Sequence, residues 1–162
     1  MSVTVRVAEP ADSALILSLV HELADYERLS SKVDATEKQI AAALFAPKPR
    51  VFCDIAEWSG EAVGFAVWFL NFSSFRGRNG LYLEDIFVRP AYRGKGIGKA
   101  LMRALAQRCV SEGWPRFEWA VLDWNKPSIE FYKSIGASVM EDWRICRMSG
   151  EALQRFARED AQ

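Results

Sequence analysis

The sequence predicts an α/β fold in a single domain, residues 1–162, built on a mixed sheet. Three observations predict it. The chain has 162 residues, 50% hydrophobic and 26% charged, which suits one globular domain with its own core. Apolar residues alternate with polar ones in some segments and recur at helical spacing in others, so strands and amphipathic helices are both present. The resulting order, β-α-α-β-β-β-α-β-α-β, sets three successive strands between helices, and no repeat, low-complexity tract or linker interrupts it.

Val3 to Val7 alternates with Thr4 and Arg6 and reads as a strand. Pro10 and Asp12 open a helix whose Leu15, Ile16, Leu19, Val20 and Leu23 share one face. Glu22 to Lys32 turns polar and reads as a loosening into loop. Thr36, with Gln39 three residues on, has capping-box spacing and starts a short helix through Ile40 and Leu44 that stops before Pro47. Val51 to Trp58 and Ala62 to Phe72 flank Ser59-Gly60 as a hairpin. Ser73 to Gly80 reads as an exposed, mobile loop, and Leu81 to Val88 as a third strand ended by Pro90. Gly96 to Glu112 is a strong helix, with Ile97, Leu101, Leu105 and Cys109 at four-residue spacing and Gly113 as its stop. Phe117 to Leu122 is a strand, Pro127 leads a helix over Ser128 to Ile135, Val139 to Met148 resembles a last strand, and Glu151 to Arg158 a terminal helix.

Lys plus Arg and Asp plus Glu each number 21, a net charge of zero. No global basic excess serves a nucleic-acid backbone or an anionic membrane, so neither is an expected partner. No stretch reaches the roughly 18 apolar residues of a spanning helix, and MSVTVRVAEPAD lacks the pattern of a signal peptide. Cys53, Cys109 and Cys146 stand far apart, and the one histidine is His21. They form neither a Cys/His metal set nor a disulfide framework, so no metal is expected. The thiols read as buried structural groups in a reducing cytoplasm.

The most informative stretch is Arg93-Gly94-Lys95-Gly96-Ile97-Gly98, between a strand and the strong helix. Its glycines let backbone N–H groups approach an anion. The helix start adds unpaired donors and partial positive charge. Arg93, Lys95 and Lys99 add full charges, and the ensemble suits a pyrophosphate. A tight turn entering a helix is the plainer alternative. The Walker pattern fails because Gly98-Lys99 is followed by Ala100, and GxGxG after three successive strands is not a dinucleotide fingerprint.

RGKGIG has the R/Q-x-x-G-x-G/A form of the GNAT superfamily of N-acetyltransferases. LYLEDIFVRPAYRGKGIG, AVLDWNKPSIEFYKSIGA and the N-terminal HELADYE resemble its diamine acetyltransferase group, which includes spermidine/spermine and thialysine acetyltransferases; the likeness covers nearly the whole chain. It implies a mixed, mostly antiparallel sheet flanked by helices, with two parallel strands splayed around acetyl-CoA. It places the pyrophosphate on Arg93 to Lys99 and the pantetheine arm on the backbone of Ile86, Phe87 and Val88. Asn125, Lys126, Pro127 and Ser128 are implied as further cofactor contacts. The group also carries a bulge near Ile86 that no sequence rule detects directly.

Acyl transfer to an amine needs a base, because an alkylammonium with a pKa of about 10.4 is mostly protonated at neutral pH. Glu84 and Asp85 lie side by side in an apolar strand, where neighbours face opposite ways, so one carboxylate faces the substrate and the other away. The resemblance gives the base role to Glu84, directly or through water, and leaves Asp85 nearer to a structural role. A solvated strand carboxylate is the alternative. A departing thiolate can take a proton from a phenol of pKa about 10, and the resemblance gives that role to Tyr132, otherwise a packed aromatic.

Tyr26, Glu27, Glu118, Trp119 and Ala120 match acceptor-lining positions of the group, so Glu27, Glu84 and Glu118 form a carboxylate-lined groove by this resemblance. Glu27 and Glu118 can equally be solvated charges, and Trp119 core. Polyamine-specific members carry acids where this chain has Leu29-Ser30-Ser31-Lys32, and an acid plus a tryptophan where it has Ser73 to Arg78. Arg76, Arg78 and Lys32 would repel a long polycation and could hold a carboxylate, so a lysine-like or thialysine-like amino acid is expected to outcompete spermine. The expected enzyme is an N-acetyltransferase acting on a small primary amine by direct attack in a ternary complex, because no cysteine has a histidine nearby in sequence. A protein or peptide N-acetyltransferase and a non-catalytic acyl-CoA sensor are the other readings. Homodimers with exchanged sheet edges or C-terminal segments are common in the family, and Val139 to Met148 offers such a contact, although burial within one chain explains its apolar pattern equally.

Overall fold

Pairing of the strands sorts side chains onto the two faces of one five-stranded sheet, ordered β1 (Val3–Val7), β2 (Val51–Trp58), β3 (Glu61–Ser73), β4 (Arg78–Val88) and β5 (Phe117–Trp119). The computed structural model describes residues 2–158. Pairs from β1 through β4 are antiparallel, and β4 with β5 is parallel. The mixed, mostly antiparallel sheet of the expected fold class is therefore present. Two units of contact divide the chain, Met1–Ala120 and Val121–Gln162. The first holds the sheet with α1 (Ser13–Tyr26), α2 (Glu37–Leu44) and α3 (Ile97–Glu112); the second holds α4 (Lys126–Ser134) and α5 (Gly150–Phe156).

Ser59 and Gly60 both adopt positive φ, 52° and 86°, the two-residue hairpin turn whose twist suits the flanking strands. Ile55 and Phe65 pair across β2 and β3 and point to the face covered by Ile16, Leu19 and Leu23 of α1 and Leu44 of α2. Their neighbours Asp54 and Ala66 point the other way, where α3 packs through Ile97, Leu101 and Leu105, all fully buried. On that face Asp54 accepts from Trp68 Nε1 (3.0 Å) and pairs with Arg108 (3.3 Å), whose guanidinium lies 4.7 Å over the Trp68 ring. The Thr36 capping box forms as expected: Gln39 N donates to Thr36 Oγ1 and Thr36 N to Gln39 Oε1.

Four expectations are corrected. The polar segment after Glu22 stays helical to Tyr26 because Glu22 is gripped by Arg89 (Nη2–Oε1 2.9 Å) while Leu23 and Ala24 are buried. Ser30–Lys32 then forms a 3₁₀ turn. The expected loop up to Gly80 shrinks to a turn, because Ser73, Phe72 and Asn71 pair with Arg78, Asn79 and Gly80. β5 spans three residues instead of six, having lost its partner past Leu83. Val139 to Met148 forms no strand; its alternation has no ladder among the described residues.

Candidate active site

β4 ends at Val88, and the chain passes a 3₁₀ turn at Pro90–Tyr92 into the glycine loop. Gly94 and Gly96 adopt φ of 75° and 80°, and a Cβ at either would meet nothing within 4 Å. The positive φ demands glycine, and the open space leaves the backbone approachable. Gly96 caps α3, whose first internal bond is Ala100 N to Gly96 O, 2.9 Å. The amides of Ile97, Gly98 and Lys99 therefore face the helix mouth without intrahelical acceptors. Ile97 buries its side chain, so only its backbone serves the loop, while Lys95 and Lys99 are exposed. Lys95 Nζ stands 5.0 Å over the Tyr92 ring and 5.4 Å over Trp58. These open amides and cations fit the diphosphate of a coenzyme.

The register of β3 against β4 slips between Val67, opposite Asp85, and Trp68, opposite Leu83. Glu84 is the extra residue, a bulge. β5 pairs with Leu81, Tyr82 and Leu83 only, so from Glu84 to Val88 no described strand lies along that side of β4. Two parallel strands thus part at the bulge, leaving the edges of Ile86, Phe87 and Val88 for an extended ligand. Phe87 itself is core, 5% exposed.

The two neighbouring carboxylates differ in their exposure. Glu84 is exposed and Asp85 half-buried. Burial, helped by the charges of Glu84 and Glu27, pushes the Asp85 carboxyl from 3.8 up to about 6. Burial also raises Glu27, the residue after α1. Tyr82 is raised by burial first, then by Glu84 and Glu118. Three acids from two elements thus share one field, and Asp85, read from the sequence as nearer structural, holds its most perturbed member. No local signal marks this, because the shift depends on burial and on Glu27, a residue distant in sequence.

Glu118 pairs with Arg116 (2.5 Å) and accepts from Asn71 Nδ2 (3.2 Å), so its charge is already offset. Half-buried Trp119 packs against Phe117, ring centroids 4.9 Å apart, and Ala120 is exposed. Tyr26 lies under the Arg93 guanidinium at 4.6 Å. Arg78 stands six residues before Glu84 along β4, roughly 20 Å at the usual strand rise.

In the second unit Asn125 is buried and caps α4, its Oδ1 accepting from Ser128 N at 3.4 Å. Pro127 occupies the first turn and Lys126 is exposed. Tyr132 is 9% exposed and packs beside Phe131 at 5.5 Å. Of the thiols, burial raises Cys53 and Cys109, whereas Cys146 is exposed, contrary to the expected burial of all three. Among the described residues no helix is long and apolar enough to cross a membrane.

The profile of the Acetyltransferase (GNAT) family matches residues 16–137, and the chain belongs to that family, whose members use acetyl-CoA. A thialysine N-epsilon-acetyltransferase of Sus scrofa is 38% identical over 96% of this chain and 98% of its own. The L-ornithine N5-acetyltransferase NATA1 of Arabidopsis thaliana is 34% identical over 93% of this chain and 86% of its own. An integron cassette protein from the mobile metagenome of V. cholerae superposes with a TM-score of 0.82 at 29% identity, covering 98% of this chain and 99% of that one.

Proposed function

We propose that residues 1–162 act as one N-acetyltransferase domain moving the acetyl group of acetyl-CoA to the side-chain amine of a lysine-like or thialysine-like amino acid. The observation that carries this reading is the parting of β4 and β5 at the Glu84 bulge, next to a loop of open amides. The family match, which covers residues 16–137 and so extends into the second unit, supports it further. Acetyl-CoA supplies the activated thioester. The amides at the mouth of α3, with Lys95 and Lys99, hold its diphosphate, and the Ile86–Val88 edge takes the pantetheine arm. Asn125, Lys126, Pro127 and Ser128 are the proposed remaining contacts. Tyr26 and Glu27 wall the acceptor, and Glu84 takes the ammonium proton, freeing the lone pair that attacks the carbonyl. Tyr132 returns a proton to the leaving sulfur, so the products are an N-acetylamine and CoA. The relatives named for thialysine and ornithine support an amino-acid acceptor. Incubation with acetyl-CoA and a panel of thialysine, ornithine, spermidine and spermine tests it, read as CoA release and product mass. A higher kcat/KM for thialysine than for spermine is expected. CoA binding without product from any amine would make the chain a sensor instead.

We further infer a homodimer in a reducing cytoplasm. Val139, Met140, Trp143, Ile145 and Met148 are 43%, 62%, 77%, 73% and 50% exposed in a stretch patterned as a strand. The backbone of such a stretch gains a ladder, and its side chains gain cover, from a second copy. All three thiols are free, which supports the reducing setting.

A further inference from the structure

A gap in β4 lets one side chain cross the strand. Gly80 pairs with Asn71 of β3 on one side and lies against Arg116, just before β5, on the other. A Cβ at Gly80 would lie 2.6 Å from Asn71 Oδ1 and 2.9 Å from the Arg116 carbonyl oxygen, so a side chain there would close the passage. Through it Asn71 Nδ2 reaches Glu118 of β5 and donates to Oε1 at 3.2 Å. Arg116 Nε stands 2.5 Å from the same oxygen. Both contacts are made at Oε1, which leaves Oε2 for a ligand, and the Arg116 and Glu118 side chains are 39% and 41% exposed. A carboxylate fixes the amide, because only its NH2 group can donate, so Oδ1 is turned onto Gly80. Asn71 Oδ1 and Arg116 Nε are both buried at this crossing without an aligned hydrogen-bond partner among the described residues, and such orphans are rare in native proteins.

Resting on the amino-acid reading of the acceptor above, we propose that Arg116 and Glu118 form the subsite for the zwitterionic end of the acceptor, with Asn71 as the residue that positions Glu118, and that this subsite selects α-amino acids over simple diamines. Glu118 stands opposite Tyr82, two residues before Glu84 on β4. Two residues along and one strand across separate the two glutamates, roughly 8 Å at the usual strand spacings. The six bonds between the nitrogens of thialysine equal two extended residues, roughly 7 Å. An ω-amine at Glu84 therefore brings the α-carbon to Glu118. That carbon carries an ammonium and a carboxylate. Glu118 Oε2 accepts from the first, and the outer edge of the Arg116 guanidinium donates to the second. Arg116 Nη2 has only a 3.5 Å contact with the Phe72 carbonyl oxygen, at the limit of a hydrogen bond, so a ligand carboxylate displaces little. Toward the amine end the field is acidic, from Glu27, Glu84 and Asp85. That field by itself favours the acceptor with the greater positive charge, which is a diamine. The Arg116–Glu118 pair reverses the preference, because only a group bearing both signs satisfies both members.

The experiment compares three acceptors of one length with acetyl-CoA: thialysine, its decarboxylated diamine and its deaminated acid. The readout is kcat/KM from CoA release. The wild-type chain is expected to favour thialysine over either analogue by about tenfold or more, because each analogue leaves one charged group of the pair unanswered. Arg116→Met should bring thialysine and the diamine to within about twofold of each other. Glu118→Gln should do the same for thialysine and the deaminated acid. Asn71→Ala should raise KM for thialysine about fivefold or more with kcat within about twofold, the mark of lost binding away from the reacting atoms. Calorimetric CoA affinity equal to that of wild type shows that each variant is folded. The wild-type comparison needs no variant, so it decides the matter even where a variant fails to fold. A wild-type chain that turns over the diamine as well as thialysine overturns the subsite and leaves the acetyltransferase reading standing. So does a full preference for thialysine over the diamine in Arg116→Met. Spermine preferred to all three acceptors, or no amine acetylated, overturns the acceptor reading itself and this inference with it.

Discussion

At Asp85, burial beside Glu84 and Glu27 raises a carboxyl from 3.8 to about 6. A carboxyl whose pKa rises on folding stabilises the fold in its protonated form. That contribution is complete below about pH 4 and is lost as pH rises through about 6. Asp85→Asn keeps the shape and removes the charge. Between pH 4 and pH 7 it should therefore lose less stability than wild type, by on the order of 2 kcal/mol. Urea denaturation across that range checks this, and parallel pH dependences would refute it. The same ionisation builds the field that draws in an ammonium, so kcat/KM should show an inflection near pH 6 that Asp85→Asn lacks. Tyr132 is tested by removing only its hydroxyl: Tyr132→Phe should lower kcat by about 100-fold or more if the phenol is the acid. Wild-type turnover by that variant at every pH would end the assignment. The glycine loop was legible in the sequence because positive φ at Gly94 and Gly96 is a local demand. Asp85 was not legible, because its shift depends on burial and on Glu27, a residue distant in sequence.

β3 and β4 approach closely enough that Gly64 has a steric reason to be glycine. A Cβ there would lie 2.6 Å from the Phe87 carbonyl oxygen and 3.3 Å from Val88 Cα, both backbone atoms that side-chain rotation cannot relieve. Gly64→Ala should push the end of β4 from β3, costing about 1–3 kcal/mol as overpacking does. Because Ile86 to Val88 are the proposed pantetheine edge, KM for acetyl-CoA should rise with the fall in Tm. A lowered Tm with unchanged KM would separate that edge from the coenzyme. The elements legible beforehand were those with local signals: the Ser59-Gly60 hairpin, the Thr36 capping box, and α3 between Gly96 and Gly113. The elements misread were set by distant partners. α1 outlasts its apolar stripe because Arg89 reaches back to Glu22, and β5 is short because β4 turns away at Glu84.

Val139 to Met148 shows the limit of reading a chain by itself. Alternation there fits a strand, but a strand exists only against a partner, and no described residue supplies one. Trp143 and Ile145, two residues apart, would share a strand face and are 77% and 73% exposed. Met140 and Met148 add apolar surface, and Leu153 and Phe156 of α5 remain 50% and 64% exposed. Arg144 and Arg147 beside Glu141 and Asp142 bring both signs of charge to the same stretch, so two copies can offset each other's charges. A net charge of zero adds no long-range repulsion between copies. The chain is therefore expected to sediment as a dimer at micromolar concentration. Replacing Trp143 and Ile145 together by serine should shift it to monomer, because these side chains contribute the largest apolar area in the stretch. Both residues are exposed in the single chain, so the doubly substituted protein should keep its circular dichroism spectrum. That retention distinguishes lost association from lost folding. A wild-type chain that sediments as a monomer, or a doubly substituted one that stays dimeric, would place the contact elsewhere or remove it.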